Sequence, residues 1–176
     1  SFTDLKNDPR VNRQIRRLSK NFAVTAAGLK DPEIKNVVFD YNGTIAIDGQ
    51  LIAGVAELIN ELSGDLDFYV ITADTYGSVE KELSNIRCSV VKIPKESQDQ
   101  RKRDFLLNLG KETTLCVGNG RNDRLMLKEA VLGVAIIQGE GVCVESLLAA
   151  DIACKSILDV FAFLKVPNRL RATLRN

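Results

Sequence analysis

Apolar residues follow two alternating patterns along this chain. Short runs rich in Val, Ile, Leu and Phe give way to stretches in which apolar positions fall three and four residues apart. The runs predict strands at Asn36–Asp40, Phe68–Ile71, Ser89–Val91, Thr114–Val117, Gly133–Ile137 and Asp151–Cys154. The spaced stretches predict helices at Val55–Leu62, Ser78–Leu83, Gln98–Leu109, behind Asp123 (Leu125, Met126, Leu127), at Val144–Ala149 and at Ile157–Leu164. Between the first strand and the first of these helices, Ile45-Ala46-Ile47 and Gln50-Leu51-Ile52 flank Asp48-Gly49, the pattern of a small β-hairpin. Strand and helix alternate, which predicts an α/β fold: a doubly wound, Rossmann-like parallel sheet with helices on both faces.

Upstream, Asp8-Pro9 reads as a helix start, and Val11, Ile15, Leu18 and Phe22 follow at helical spacing among Arg10, Arg13, Arg16, Arg17 and Lys20. The expected organisation is therefore a basic amphipathic helical segment over 1–35, a core over 36–165 and a basic tail over 166–176. The first 35 residues carry eight Lys/Arg against four Asp/Glu, and 165–176 carry four against none. A total of +1 leaves the middle acidic. That balance offers no polyanion-binding surface on the core, so nucleic acid is not an expected partner. No apolar run is long enough to span a bilayer and none reads as a signal peptide. Cys88, Cys116, Cys143 and Cys154 lie far apart in apolar surroundings, which favours reduced cysteines in a cytoplasmic protein over zinc or disulfide chemistry. The chain has no His, which excludes imidazole acid–base chemistry and His-ligated metals.

The candidate chemistry sits where strands end. Ligands of open α/β sheets bind outside the carboxyl ends of the strands. The first strand ends on Asp40, followed by Tyr41-Asn42-Gly43-Thr44. The second ends on Thr72-Ala73-Asp74, and the fourth runs into Gly118-Asn119-Gly120-Arg121-Asn122-Asp123. Taken singly, Asp40 and Asp123 are also what a turn or a helix cap would use, and Thr72 is an ordinary strand-end residue. Together they suit phosphoryl transfer, in which a carboxylate serves as nucleophile or hard-cation ligand and a hydroxyl, amides and a lysine hold phosphate oxygens.

In these motifs the chain resembles the haloacid dehalogenase superfamily of phosphohydrolases, and within it the group similar to the phosphorylation domain of P-type ATPases. The resemblance covers about residues 35–165. It implies Asp40 as a nucleophile that becomes an aspartyl-phosphate. Magnesium would be held by Asp40, the Asn42 carbonyl, Asp123 and Asn119, and phosphate by Thr72, Ala73, Lys102 and a close backbone approach at Gly43. Lys102 competes with Lys92 and Lys95 for the lysine role; Phe105, Leu106 and Leu109 behind it favour Lys102.

Two departures stand out. Relatives usually carry an Asp acid–base two residues after the nucleophile, where this chain has Asn42, so alkyl phosphates should turn over slowly. Many also place a metal-binding Asp where Asn119 stands, which predicts weaker magnesium binding. The gaps from Thr44 to Thr72 and from Thr72 to Lys102 are too short for a cap domain. An open crevice implies a phosphorylated macromolecular substrate, or closure by a second subunit or by the N-terminal segment. The leading expectation is a magnesium-dependent phosphohydrolase. The alternatives are a catalytically weak binding or regulatory protein of the same fold and, behind it, a module whose basic ends meet RNA or a membrane surface.

Overall fold

A computed structural model of the chain describes residues 33–74 and 77–174; the predicted helix beginning at Asp8-Pro9 lies outside them. Six strands form one parallel sheet: β1 (Asn36–Asp40), β4 (Asp67–Thr72), β5 (Ser89–Lys92), β6 (Thr114–Gly118), β7 (Leu132–Ile136) and β8 (Ile152–Cys154). Their spatial order is β5-β4-β1-β6-β7-β8. The chain runs outward from β1 through β4 to β5, then crosses back to place β6 on the other side of β1. The carboxyl ends of β1 and β6 therefore flank the point where strand order reverses, the position at which such sheets bind ligands. A separate antiparallel hairpin, β2 (Ala46–Ile47) with β3 (Gln50–Leu51), follows β1 directly.

The connecting helices are α1 (Val55–Leu62), α2 (Ser78–Glu82), α3 (Gln98–Leu109), α4 (Arg124–Glu129), α5 (Val144–Ala149), α6 (Ile157–Lys165) and α7 (Pro167–Leu174). The last covers most of the segment expected as a tail. Pro167 suits its first turn, where a missing N–H costs nothing, and Leu174 packs against the larger core cluster.

Both faces of the sheet are covered, which is why β1 and β6 read as unbroken apolar runs rather than alternating ones. Strand alternation sends Val37 and Phe39 to one face with Val70, Leu115 and Val117, where Phe39 lies 5.6 Å from Phe161 and 6.0 Å from Phe68 between ring centroids. It sends Val38 to the other face with Ile71 and Cys116, under Leu106 of α3 and Met126 and Leu127 of α4. Asp40, two residues after Val38, belongs to that second face. The carboxylate thus emerges beneath α3.

Gly133 in β7 sets how closely α4 approaches this face. A Cβ there would stand 2.1 Å from the Leu127 carbonyl oxygen, a backbone atom that cannot turn aside. Gly133→Ala is expected to cost about 1–3 kcal/mol, the usual range for overpacking. Urea denaturation would show it as a lower midpoint at unchanged slope.

Candidate active site

Lys102 sits in a helix that is otherwise charged and largely solvated, yet it is 1 % exposed. Leu106, one turn later, is also buried. The same helical face that packs Leu106 on the sheet thus drives Lys102 beneath the surface, where an ammonium needs charged partners. It has two. Lys102 Nζ donates to Asp40 Oδ1 at 2.5 Å and to Asp123 Oδ1 at 2.6 Å.

Asp123 is fully buried and its second oxygen is also engaged, accepting from the backbone N–H of Asn119 (2.9 Å) and of Gly120 (2.8 Å). Gly118 makes room for it, since a Cβ there would lie 2.4 Å from Asp123 Cγ. Asp40 keeps part of its surface in the crevice, with a side chain 14 % exposed. Burial raises its carboxyl to about 7. The Asp123 charge adds to the rise, while Lys102 and the Tyr41 backbone N–H oppose it. Burial by itself would lower the Lys102 ammonium, but the two carboxylates outweigh it and the group is raised. The pair of carboxylates and the lysine form one mutually dependent cluster.

The crevice above the cluster encloses about 530 Å³, and Asp40, Asn42, Thr72, Ala73, Asn119 and Lys95 are among its lining residues. Thr72 is buried at the end of β4, its Oγ1 accepting from Asp74 N at 3.0 Å. Asn42 is exposed in the crevice. Asn119 is held in place, donating to the Gly141 carbonyl (3.0 Å) and accepting from Thr44 Oγ1 (3.4 Å). Gly43 permits that. Its φ is +75°, and a Cβ would fall 2.2 Å from the Asn119 amide nitrogen. Its own N–H donates to the Ala46 carbonyl at 2.8 Å, so the glycine serves clearance here rather than offering a spare donor. Of the competing lysines, Lys92 pairs with Glu80 at 2.7 Å on the edge strand, and Lys95 lies on the crevice wall.

Two residues that sequence reasoning passed over hold the loop after Asp40. Gln138, just past β7, donates to the Thr44 carbonyl at 2.6 Å and accepts from Ile157 N at 2.9 Å, tying the loop to the start of α6. Glu82 of α2 accepts from the Tyr41 hydroxyl at 2.7 Å and from Leu51 N at 2.8 Å, which clamps the hairpin. The strand-end rule applied to β7 would have singled out Gln138. Nothing local marks Glu82.

The donor set fits a hard divalent cation in kind. Two carboxylates converge closely enough to share one ammonium, and oxygen donors of Asn42 and Asn119 stand beside them. Among the described residues no group of three His, Cys, Asp or Glu is placed to hold a metal. Asp40 and Asp123 would therefore need carbonyl, amide and water oxygens to complete a shell.

No model of a known protein family matches the chain. It is 44% identical over 62 residues to an uncharacterized protein of Methanocaldococcus jannaschii, covering 35% of this chain and 67% of that protein. It is 30% identical over 120 residues to a soluble P-type ATPase-like phosphatase of the same organism, covering 66% of this chain and 44% of the relative. The match thus spans under half of that phosphatase-like protein. Among solved structures, a 3-deoxy-D-manno-octulosonate 8-phosphate phosphatase of Moraxella catarrhalis, in complex with magnesium, phosphate and KDO, superposes with a TM-score of 0.60 at 14% identity. That superposition covers 89% of this chain and 94% of the other.

A parallel sheet of this order is the fold of haloacid dehalogenase-like phosphatases, and in this chain Asp40, Thr72, Lys102 and Asp123 gather at its strand ends. In sequence the chain is similar to the soluble P-type ATPase-like phosphatase.

Proposed function

We propose that the protein is a magnesium-dependent phosphohydrolase that works through an aspartyl-phosphate on Asp40. The observation that carries this reading is the Lys102 ammonium bridging Asp40 and Asp123 at the floor of the crevice. An Asp40 carboxylate oxygen attacks phosphorus, the bond from phosphorus to the leaving oxygen breaks, and that oxygen departs with the electron pair. Water then attacks the same phosphorus and releases phosphate and the free carboxylate. Thr72 and Ala73 border the phosphoryl group at the end of β4, and Lys102 neutralises charge beneath it. Magnesium, held by Asp40, Asp123, the Asn42 carbonyl and Asn119 with water, would supply further neutralisation of the phosphoryl oxygens.

Asn42 shapes the substrate range. An amide neither protonates a leaving alkoxide nor activates water, so acyl phosphates, anhydrides and aryl phosphates suit the site better than alkyl esters. The same residue favours a second reading, a slow enzyme whose long-lived phosphorylated or ligand-bound state serves regulation. An open crevice is also compatible with a macromolecular phosphate or with cover from a second subunit. The acidic core and the lack, among the described residues, of a helix long and apolar enough to cross a membrane are in keeping with a cytoplasmic setting.

The test is hydrolysis of acetyl phosphate and p-nitrophenyl phosphate with and without magnesium, comparing the wild type with Asp40→Asn. Turnover that requires magnesium and disappears in the variant is the expected result. Equal rates in the two proteins, both folded, would defeat the enzyme reading.

A further inference from the structure

We infer that the catalytic crevice continues into a cationic basin that receives a second anionic group, phosphate or carboxylate, carried on the leaving group of the substrate. This rests on the phosphohydrolase reading and narrows its substrate class to small molecules with two anionic ends.

A second cavity of about 490 Å³ adjoins the crevice. Lys95, Gln98 and Asn122 line both, so the two spaces share a wall. That wall is fixed: Asn122 Nδ2 donates to Gln98 Oε1 at 2.7 Å, and Gln98 Nε2 donates to the Lys95 carbonyl at 3.1 Å. Beyond it lie Arg121, Arg124 and Asp99.

The charges there do not cancel. Glu145 accepts from Arg121 (2.8 Å) and from Arg124 (3.2 Å), and Asp99 stands 3.6 Å from Arg124. Three cations thus face two carboxylates, and the excess resides on Lys95, which has no ion-pair partner among the described residues. On the crevice side the charged lining is acidic apart from Lys95, with Asp40, Asp74 and Glu140. An anionic tail leading away from Asp40 therefore meets attraction in one direction only, across the Gln98–Asn122 wall toward Lys95 and the two arginines. A phosphate ester with a neutral leaving group leaves that basin unused.

The experiment compares phenyl phosphate, 4-carboxyphenyl phosphate and 1,4-phenylene bisphosphate as substrates of the wild type and of Lys95→Ala. The expected wild-type kcat/KM is about tenfold or more higher for one or both esters that carry a second anionic end, the scale of one added charged hydrogen bond. In Lys95→Ala that ratio should fall toward one, through KM rather than kcat. Preference for the bisphosphate alone identifies a phosphate subsite, and preference for the carboxylate alone a carboxylate subsite. Equal kcat/KM for all three in the wild type, or a ratio that Lys95→Ala leaves unchanged, overturns the inference.

Absence of hydrolysis of all three esters would instead count against the phosphohydrolase reading. Calorimetric titration with phenyl phosphate and the bisphosphate then decides the basin. Tighter binding of the bisphosphate, beyond the twofold that two equivalent ends give, and its loss in Lys95→Ala would uphold it. Equal binding would not.

Discussion

Lys102→Met should lose about 3–5 kcal/mol of folding stability at pH 8 in metal-free buffer, the range for removing one member of a buried ionic cluster. Methionine fills nearly the same volume beside Leu106, so the loss is electrostatic rather than a cavity effect. It leaves Asp40 and Asp123, which now share one ammonium at 2.5 and 2.6 Å, as two neighbouring buried carboxylates. The pH dependence separates this cause from simple misfolding. The Asp40 carboxyl is already raised from 3.8 to about 7. Between those values the folded state holds more protons than the unfolded one, so its contribution to stability falls as pH rises through that window. Lys102 is one of the groups opposing the rise. Without it the window extends upward, and the deficit of Lys102→Met should shrink as pH is lowered toward 5. Urea melts at pH 5.5 and 8 would measure this. A deficit of the same size at both values would show that the lysine is not compensating the carboxylates. Hydrolysis should fall by at least about 10² in the same variant, because a preorganised positive charge beside the phosphoryl group is lost.

That cluster also shows where the sequence was legible. The alternation of strand and helix, the end of β1 on Asp40 and the glycine-rich turn after β6 are local patterns, and each lies in the structure where the pattern placed it. The choice of Lys102 over Lys92 and Lys95 rested on the apolar residues behind it. Its physical content is that Lys102 and Leu106 share one buried helical face, whereas Lys92 lies on an edge strand and Lys95 on a rim. Gln138 and Glu82 were not legible because they act through hydrogen bonds to backbone or side-chain groups 19 to 94 residues away, which leave no periodic trace. Nor could the sequence reveal that Gly43 and Gly118 clear space for Asn119 and Asp123. A glycine in a turn looks the same whether it serves its own φ or a neighbour's side chain. The N-terminal basic stretch lies outside the described residues, and its role as a cover stays with the sequence-based expectation.

Asn42→Asp is expected to raise hydrolysis of an alkyl phosphate by about 10²–10⁴, the usual worth of a positioned general acid–base. Asn42 lies two residues beyond Asp40, exposed in the crevice, on the loop that Gln138 fixes through the Thr44 carbonyl. A carboxyl there can give its proton to the departing alkoxide and then take one from the attacking water; the native amide can do neither. Acetyl phosphate, whose leaving carboxylate needs no proton, should gain little in the first step. The ratio of alkyl to acyl turnover is therefore the quantity to measure. A rise in that ratio would mean that the rest of the site is competent and that Asn42 alone holds alkyl esters back. An equal change for both substrates, or none, would place the limit elsewhere, with Asn119 next in line. Its amide is tied to Gly141 and Thr44 where a carboxylate would add charge beside Asp123.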